Sequence, residues 1–100
     1  MEISETKNGS VLTITLNGRF DALAALELEK KLPPELAGIT ELIFDFAQVS
    51  YIASAGLRAI VQFQKAMSSR QGTMKLIHVS ASVREVFEIT KLIKLITLES

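Results

Sequence analysis

Few residues in this sequence could do chemistry, and the most suggestive is a serine. The run Ala53-Ser54-Ala55-Gly56 sets one hydroxyl among residues too small to shield it. Small neighbours let another protein's backbone approach closely. A hydroxyl where the chain enters a helix can cap that helix, an N-cap role that contributes about 1 kcal/mol. It can also accept a phosphoryl group, which would set a dianion near the positive end of the helix dipole. Gly56, two residues on, reads as a tight helix–strand contact or as part of a docking edge. Asp45 is the second unusual residue. A carboxylate among Ile43, Phe44 and Phe46 is costly unless it is hydrogen-bonded or near a strand end. It reads as a strand-end carboxylate that accepts from loop amides, or else as a group with a direct role.

Several chemistries are poorly served. The Ser54 loop has one glycine and no following Gly-Lys-Ser or Gly-Lys-Thr, so it is not a phosphate-cradling P-loop. Ser54 does not sit in a Gly-x-Ser-x-Gly elbow. His78, the single histidine, has no clear orienting partner in the sequence and reads as a strand residue, packed or solvated near a sheet end. One histidine and no cysteine leave no thiol chemistry and no histidine-based metal cluster. No cofactor is expected, and no enzyme.

Charge narrows the partners. Eleven basic and eleven acidic side chains sum to zero, without the electropositive footprint that nucleic-acid binders need. The basic residues are single apart from Lys30-Lys31, a pair that suits a solvated helix face. Residues 1–7 alternate charged and apolar side chains and lack the apolar core of a signal peptide. No apolar run approaches the roughly 20 residues of a membrane span. The expectation is a soluble, cytoplasmic protein with no nucleic-acid partner and no membrane insertion.

The elements that must hold these residues follow from periodicity. In Val11–Leu16, Leu12, Ile14 and Leu16 alternate with Val11, Thr13 and Thr15, which predicts a strand with one greasier face. Asn8-Gly9 before it is a hairpin signal, pairing it with residues 2–6, and Asn17-Gly18 would end it. Asp21 precedes the helix formers Ala22–Leu32 and can cap their first turn, with Pro33-Pro34 as the stop. The nearly continuous apolar run Glu41–Phe46 reads as a central strand covered on both faces. A connection over residues 47–56 leads to a helix from Leu57, with Leu57, Ile60, Val61, Gln64 and Met67 on one face and Phe63 beside it. Met74–Val79 reads as a strand. Ser82-Val-Arg-Glu85 has the form of a capping box, opening a short helix on Val83, Val86 and Phe87. Leu95–Leu98 reads as a last short strand or a docked chain end.

The order is β-β-α-β-α-β-α-β, an α/β fold with a mixed, mainly parallel sheet. Residues 1–100 form one domain with no repeat or linker, and the crossover from Leu42 to Val79 should be right-handed. In such sheets partner sites lie beyond the carboxyl ends of the strands, which again selects the Ser54 loop.

These residues resemble a known family. Asn17-Gly-Arg-Phe-Asp21, Leu42-Ile-Phe-Asp45, Tyr51-Ile-Ala-Ser-Ala-Gly-Leu57 and Ser80–Thr90 are similar, in order and spacing, to four segments of the STAS domain of bacterial anti-sigma factor antagonists. The resemblance covers nearly the whole chain. It implies binding of an anti-sigma factor that is also a serine kinase of the GHKL type. That kinase phosphorylates a hydroxyl just before the loop glycine and loses its grip, and a PP2C-type phosphatase reverses the step. The residue just before Gly56 is Ala55, but some family members are phosphorylated one position earlier, and Ser54 is the one hydroxyl left there; the resemblance thus makes Ser54 the phosphoacceptor candidate, with Asp21, Ala53, Ala55, Gly56, Leu57 and Arg58 as partner contacts. Ala53 stands where the family often has Asp, and Ala55 where it often has a second hydroxyl. The same residues therefore also fit a STAS scaffold that is never phosphorylated, as a subunit of a transporter or sensor complex. A small-ligand or nucleotide-binding module is suggested only by the fold class.

Overall fold

The computed structural model describes the backbone of residues 1–100 and the side chains of all but residues 33–35. Period-two alternation sorts the first hairpin. β1 (Glu2–Asn8) and β2 (Val11–Phe20) pair antiparallel around Gly9-Ser10. Only Gly9 of that pair has a positive φ, +64°, the arrangement of a type II′ turn, whose twist matches the flanking strands.

The chain then runs α1 (Ala22–Glu35), β3 (Glu41–Ile52), α2 (Ser54–Ser69), β4 (Thr73–Ile77), α3 (Ala81–Ile89), a 3₁₀ turn (Leu92–Lys94) and β5 (Thr97–Leu98). The expected order is the observed one. The five strands lie side by side in sequence order. β1 is antiparallel to β2, and the β2–β3, β3–β4 and β4–β5 pairs are all parallel. Each parallel step needs a crossover, and a helix supplies it.

That order decides where the core sits. Right-handed crossovers that always step the same way along a sheet put all their helices on one face. Leu12, Ile14 and Leu16 of β2, Leu42, Phe44 and Phe46 of β3, and Met74 and Leu76 of β4 are buried. They join Leu28 and Leu32 of α1, Ile60, Phe63 and Met67 of α2, and Val83 and Phe87 of α3 in one cluster. The alternate residues Glu41, Ile43 and Asp45 of β3 are only half-buried. The expectation that the central strand is covered on both faces is thus corrected: its apolar run reflects one core face plus Ile43.

Element ends differ from expectation for local reasons. β2 does not end at Asn17-Gly18 but continues to Phe20, with register shifts between Thr15 and Asn17 and between Gly18 and Arg19. Gly18 has φ +123°, a backbone that glycine adopts freely, so the turn signal became an irregularity within a strand. β3 runs on to Ile52, and α2 starts at Ser54 rather than Leu57. The small-residue run is the first helical turn. Phe63, not Val61 or Gln64, lies on the buried face of α2 with Gly56, Ala59, Ile60 and Met67. α3 is capped by Ser80, whose Oγ accepts from the Val83 amide at 3.3 Å, and not by the expected Ser82–Glu85 box. The stop expected at Pro33-Pro34 is corrected: α1 runs through both prolines to Glu35, and the Leu36 amide still bonds the Leu32 carbonyl at 3.1 Å.

Gly56 fixes how closely α2 approaches the strands. A Cβ there would lie 2.9 Å from Ile52 Cγ1, 2.9 Å from the Phe20 carbonyl oxygen and 3.1 Å from Phe20 Cδ1. Replacing glycine by alanine in a helix gains up to about 1 kcal/mol of propensity, but overpacking costs about 1–3 kcal/mol. The backbone oxygen cannot swing away, so the clash wins. Gly56→Ala is expected to lower the midpoint of thermal unfolding by several degrees, at about 4–8 °C per kcal/mol for a domain of this size. An unchanged or raised midpoint in a thermal melt would show that the contact relaxes freely.

Candidate functional site

β2 and β3 end together. Arg19 pairs with Tyr51 and Phe20 with Ile52, and the Ala53 amide donates to the Phe20 carbonyl at 2.9 Å. Both strands then pass directly into helices, so α1 and α2 begin side by side at the carboxyl edge of the sheet. This juxtaposition brings Asp21 close to Ala53 and Ser54, residues far apart in sequence.

The two helices start differently. Asp21 caps α1, its Oδ1 accepting from the Ala24 amide at 3.0 Å. Ala53 holds the N-cap position of α2, with φ −87° and ψ 168°, and offers no side-chain cap. The reading of Ser54 as a plain N-cap serine is therefore corrected. Ser54 is the first residue of the helix, it is exposed, and its hydroxyl makes no hydrogen bond among the described residues. The Leu57 amide bonds the Ala53 carbonyl at 3.0 Å. The amides of Ser54, Ala55 and Gly56 precede the first intrahelical bond and face the end of the helix. A phosphoryl group on Ser54 would meet these donors and the positive end of the dipole.

The other candidates divide. Ala55 is half-buried and Arg58 exposed. Arg58 follows Ser54 by four residues and so lies on the same side of α2. Leu57 is half-buried against the core. Gly56 is buried beneath Phe20 and Ile52. It was expected on the docking edge, but it sets the position of that edge from inside. Sequence reasoning missed one feature: the Arg19 guanidinium lies over the Tyr51 ring, 4.2 Å from its centre, with Tyr51 substantially exposed. Their pairing depends on two register shifts, at each of which β3 carries one residue more than β2, and no local pattern announces them.

Asp45 and His78 meet away from this edge. Asp45 was expected at a strand end but lies within β3, which runs on to Ile52; its Oδ1 accepts from the Ala47 amide of the same strand at 3.0 Å and lies 2.9 Å from His78 Nδ1. His78 follows the end of β4 with φ +56° and an exposed ring. The expectation that it lacks an orienting partner is corrected. The pair ties the start of the β4–α3 connection to β3. No hydroxyl among the described residues hydrogen-bonds the ring's other nitrogen, so the pair does not extend into a triad.

Both Asp45 and the uncapped start of α2 bear on stability. Burial pushes the Asp45 carboxyl up, but the His78 hydrogen bond, the Ala47 amide and the charge of His78 together hold it below its ordinary value. A carboxyl lowered by folding stabilises the native state above its unfolded value, about 3.9, and that contribution disappears as pH falls through the folded value. Asp45→Asn should therefore lose stability at neutral pH and show a shallower loss between about pH 5 and 2 in denaturant titrations; parallel curves for variant and wild type would contradict this. Secondly, Ala53→Asp supplies the missing cap and should stabilise by about 0.5–2 kcal/mol, read as a raised denaturation midpoint with unchanged slope.

Comparison with known proteins places this geometry. The STAS domain model matches residues 2–100. BtrV of Bordetella bronchiseptica, which carries the name of an anti-sigma factor antagonist, is 32% identical over 91 residues, covering 90% of this chain and 78% of that protein. Among solved structures, a Thermotoga maritima protein of the same designation superposes with a TM-score of 0.91 at 21% identity, covering 98% of this chain and 86% of the other. The anti-sigma factor antagonist SpoIIAA in its unphosphorylated form superposes with 0.86 at 20% identity, covering 99% and 89%. The structural likenesses establish the fold. The names describe antagonism, a binding activity, and none names a reaction. No helix among the described residues is long and apolar enough to cross a membrane. The family match spans almost every residue, and the chain belongs to the STAS domain family, among its anti-sigma factor antagonist-like proteins.

Proposed function

We propose that this protein is a cytoplasmic partner-switching antagonist. In this reading it sequesters an anti-sigma factor that is also a serine kinase of the GHKL type. Phosphorylation of Ser54 by that kinase ends the complex, and a PP2C-type phosphatase restores the binding form. Asp21, Ala53, Ala55, Leu57 and Arg58 form the contact surface around the serine.

One observation carries the reading. Ser54 has an exposed hydroxyl with no structural duty, at the open end of a helix, because Ala53 and not Ser54 holds the cap position. A dianion added to a close-packed interface disrupts it by repulsion and desolvation. Removing the hydroxyl should leave stability within about 0.5 kcal/mol, as for an exposed residue without partners, so Ser54→Ala isolates the chemistry from folding.

A second reading, a STAS scaffold that is never phosphorylated, is supported by Ala53 and Ala55 at positions where the family often carries Asp and a hydroxyl. The deciding experiment is an intact-mass spectrum after incubation with ATP and extract of the source cells, with Ser54→Ala alongside. The expected result is one added phosphoryl group on the wild type and none on the variant. No addition, in an extract that phosphorylates a control antagonist, would favour the scaffold. For the switch itself, Ser54→Glu should weaken binding of the kinase, and undiminished binding would overturn it.

A further inference from the structure

The chain is neutral as a whole, yet its charges are segregated. Residues 46–84 carry Arg58, Lys65, Arg70, Lys75 and Arg84 and no Asp or Glu. All eleven carboxylates lie outside this run. α2 lies wholly within it, and its charged side chains are Arg58 and Lys65 alone.

Those two residues frame a groove. Leu57, Arg58, Val61, Gln62 and Lys65 of α2 and Leu92 of the 3₁₀ turn line a depression of about 320 Å³. Leu57 and Leu92 are half-buried apolar residues that pack on the rim of the core, and Val61 is half-buried between them in the lining. Arg58 and Lys65 are exposed. Neither is paired with a carboxylate among the described residues, whose ion pairs are Lys31–Glu5, Lys75–Glu99 and His78–Asp45. Seven residues apart, the two cations fall on one side of the helix, two turns or about 10 Å from each other. The floor is apolar and both ends of one wall are cationic.

We propose that this groove receives an amphipathic helical segment of a protein partner, with its apolar stripe on Leu57, Val61 and Leu92 and with Asp or Glu flanking that stripe. Helix-in-groove recognition needs an apolar track of this kind, and opposite charges on the rim fix register and exclude partners of the wrong sign. A carboxylate on the partner would meet unpaired cations, with no neighbouring acid on α2 to repel it. A basic segment would meet like charge at both positions. The groove begins at Leu57 and Arg58, one turn from Ser54, and so continues the surface proposed above. The inference rests on that reading only in giving the same partner a second, charge-selective contact.

The test uses the whole chain and two synthetic helical peptides with the same leucine stripe, one flanked by glutamates and one by lysines. In nuclear magnetic resonance titrations the glutamate peptide is expected to shift the amides of Leu57, Val61 and Leu92. It should bind about tenfold more tightly than the lysine peptide at low salt, as two exposed charge contacts allow, and the gap should narrow as salt rises. The double variant Arg58→Glu with Lys65→Glu should reverse the preference. Both residues are exposed, and an unchanged thermal midpoint would verify that the variant is folded. Equal binding of the two peptides, shifts centred elsewhere, or a preference that survives the double reversal would overturn the proposal. So would self-association of the wild type in sedimentation, abolished by the double variant, because the groove would then belong to a second copy. The assay contains neither kinase nor ATP. Failure of the Ser54 switch would leave the peptide preference intact, and failure of the preference would leave phosphorylation of Ser54 intact.

Discussion

The site depends on one close contact, that of Gly56 with the ends of β2 and β3. The Phe20 carbonyl accepts from the Ala53 amide at 2.9 Å, and a Cβ on Gly56 would lie 2.9 Å from the same oxygen. The strand end, the cap and the first turn of α2 are thus fastened around one backbone oxygen. Asp21 follows Phe20 directly and caps α1, so the same contact sets the spacing between the two helix starts. Any shift of α2 away from the sheet would move Ser54, Leu57 and Arg58 together relative to Asp21. The surface therefore acts as a unit because a missing side chain allows its supports to touch.

Sheet order supplies the second constraint. Strands laid down in sequence order put the three crossover helices on one face. The opposite face keeps half-buried residues such as Thr13, Thr15, Ile43 and Asp45. A chain of this size buries only about two-thirds of its unfolded surface, and here the saving comes from building one core rather than two. The cost is a β3 with only one covered face, where a carboxylate can survive. Asp45 is tolerated because it accepts from the Ala47 amide and faces His78, which satisfies an otherwise expensive group.

Much of this was legible in the residues. Alternation in Val11–Leu16, the helix formers after Asp21 and the apolar run at Glu41–Phe46 each named an element, and their order named the fold. The hairpin signal and the Asp21 cap were read correctly because both depend on neighbours a few residues away. What was not legible depended on distant partners. Asn17-Gly18 has the form of a turn, but pairing with β3 carried the strand through it. Val61 and Gln64 fit a helical stripe as well as Phe63 does, and only the position of the sheet showed that Phe63 is buried. Ser82 with Glu85 has the form of a capping box, yet Ser80 stands two residues closer to the end of β4 and takes the Val83 amide. The Asp45–His78 pair spans 33 residues, beyond the reach of local pattern. At the candidate site the residues showed a hydroxyl among small neighbours, but they placed it in a connection before Leu57 rather than in the first turn of α2, and they did not show its freedom from capping duty.

That freedom has a physical consequence for Ala53. A capping side chain at this position would accept from an amide of the first turn and so compete for the donors that a phosphoryl group on Ser54 would use. A carboxylate there would also set a negative charge beside the dianion, and repulsion between them would oppose the modification. Alanine removes both effects. The helix start forgoes about 1 kcal/mol of capping, while its first amides are unclaimed by any side chain among the described residues and Arg58 lies one turn away on the same side. The substitution that most weakens the likeness to the family's usual loop is, electrostatically, one that makes the end of α2 more receptive to an anion, because the acceptor it lacks is the one with which a phosphoryl group would have to compete.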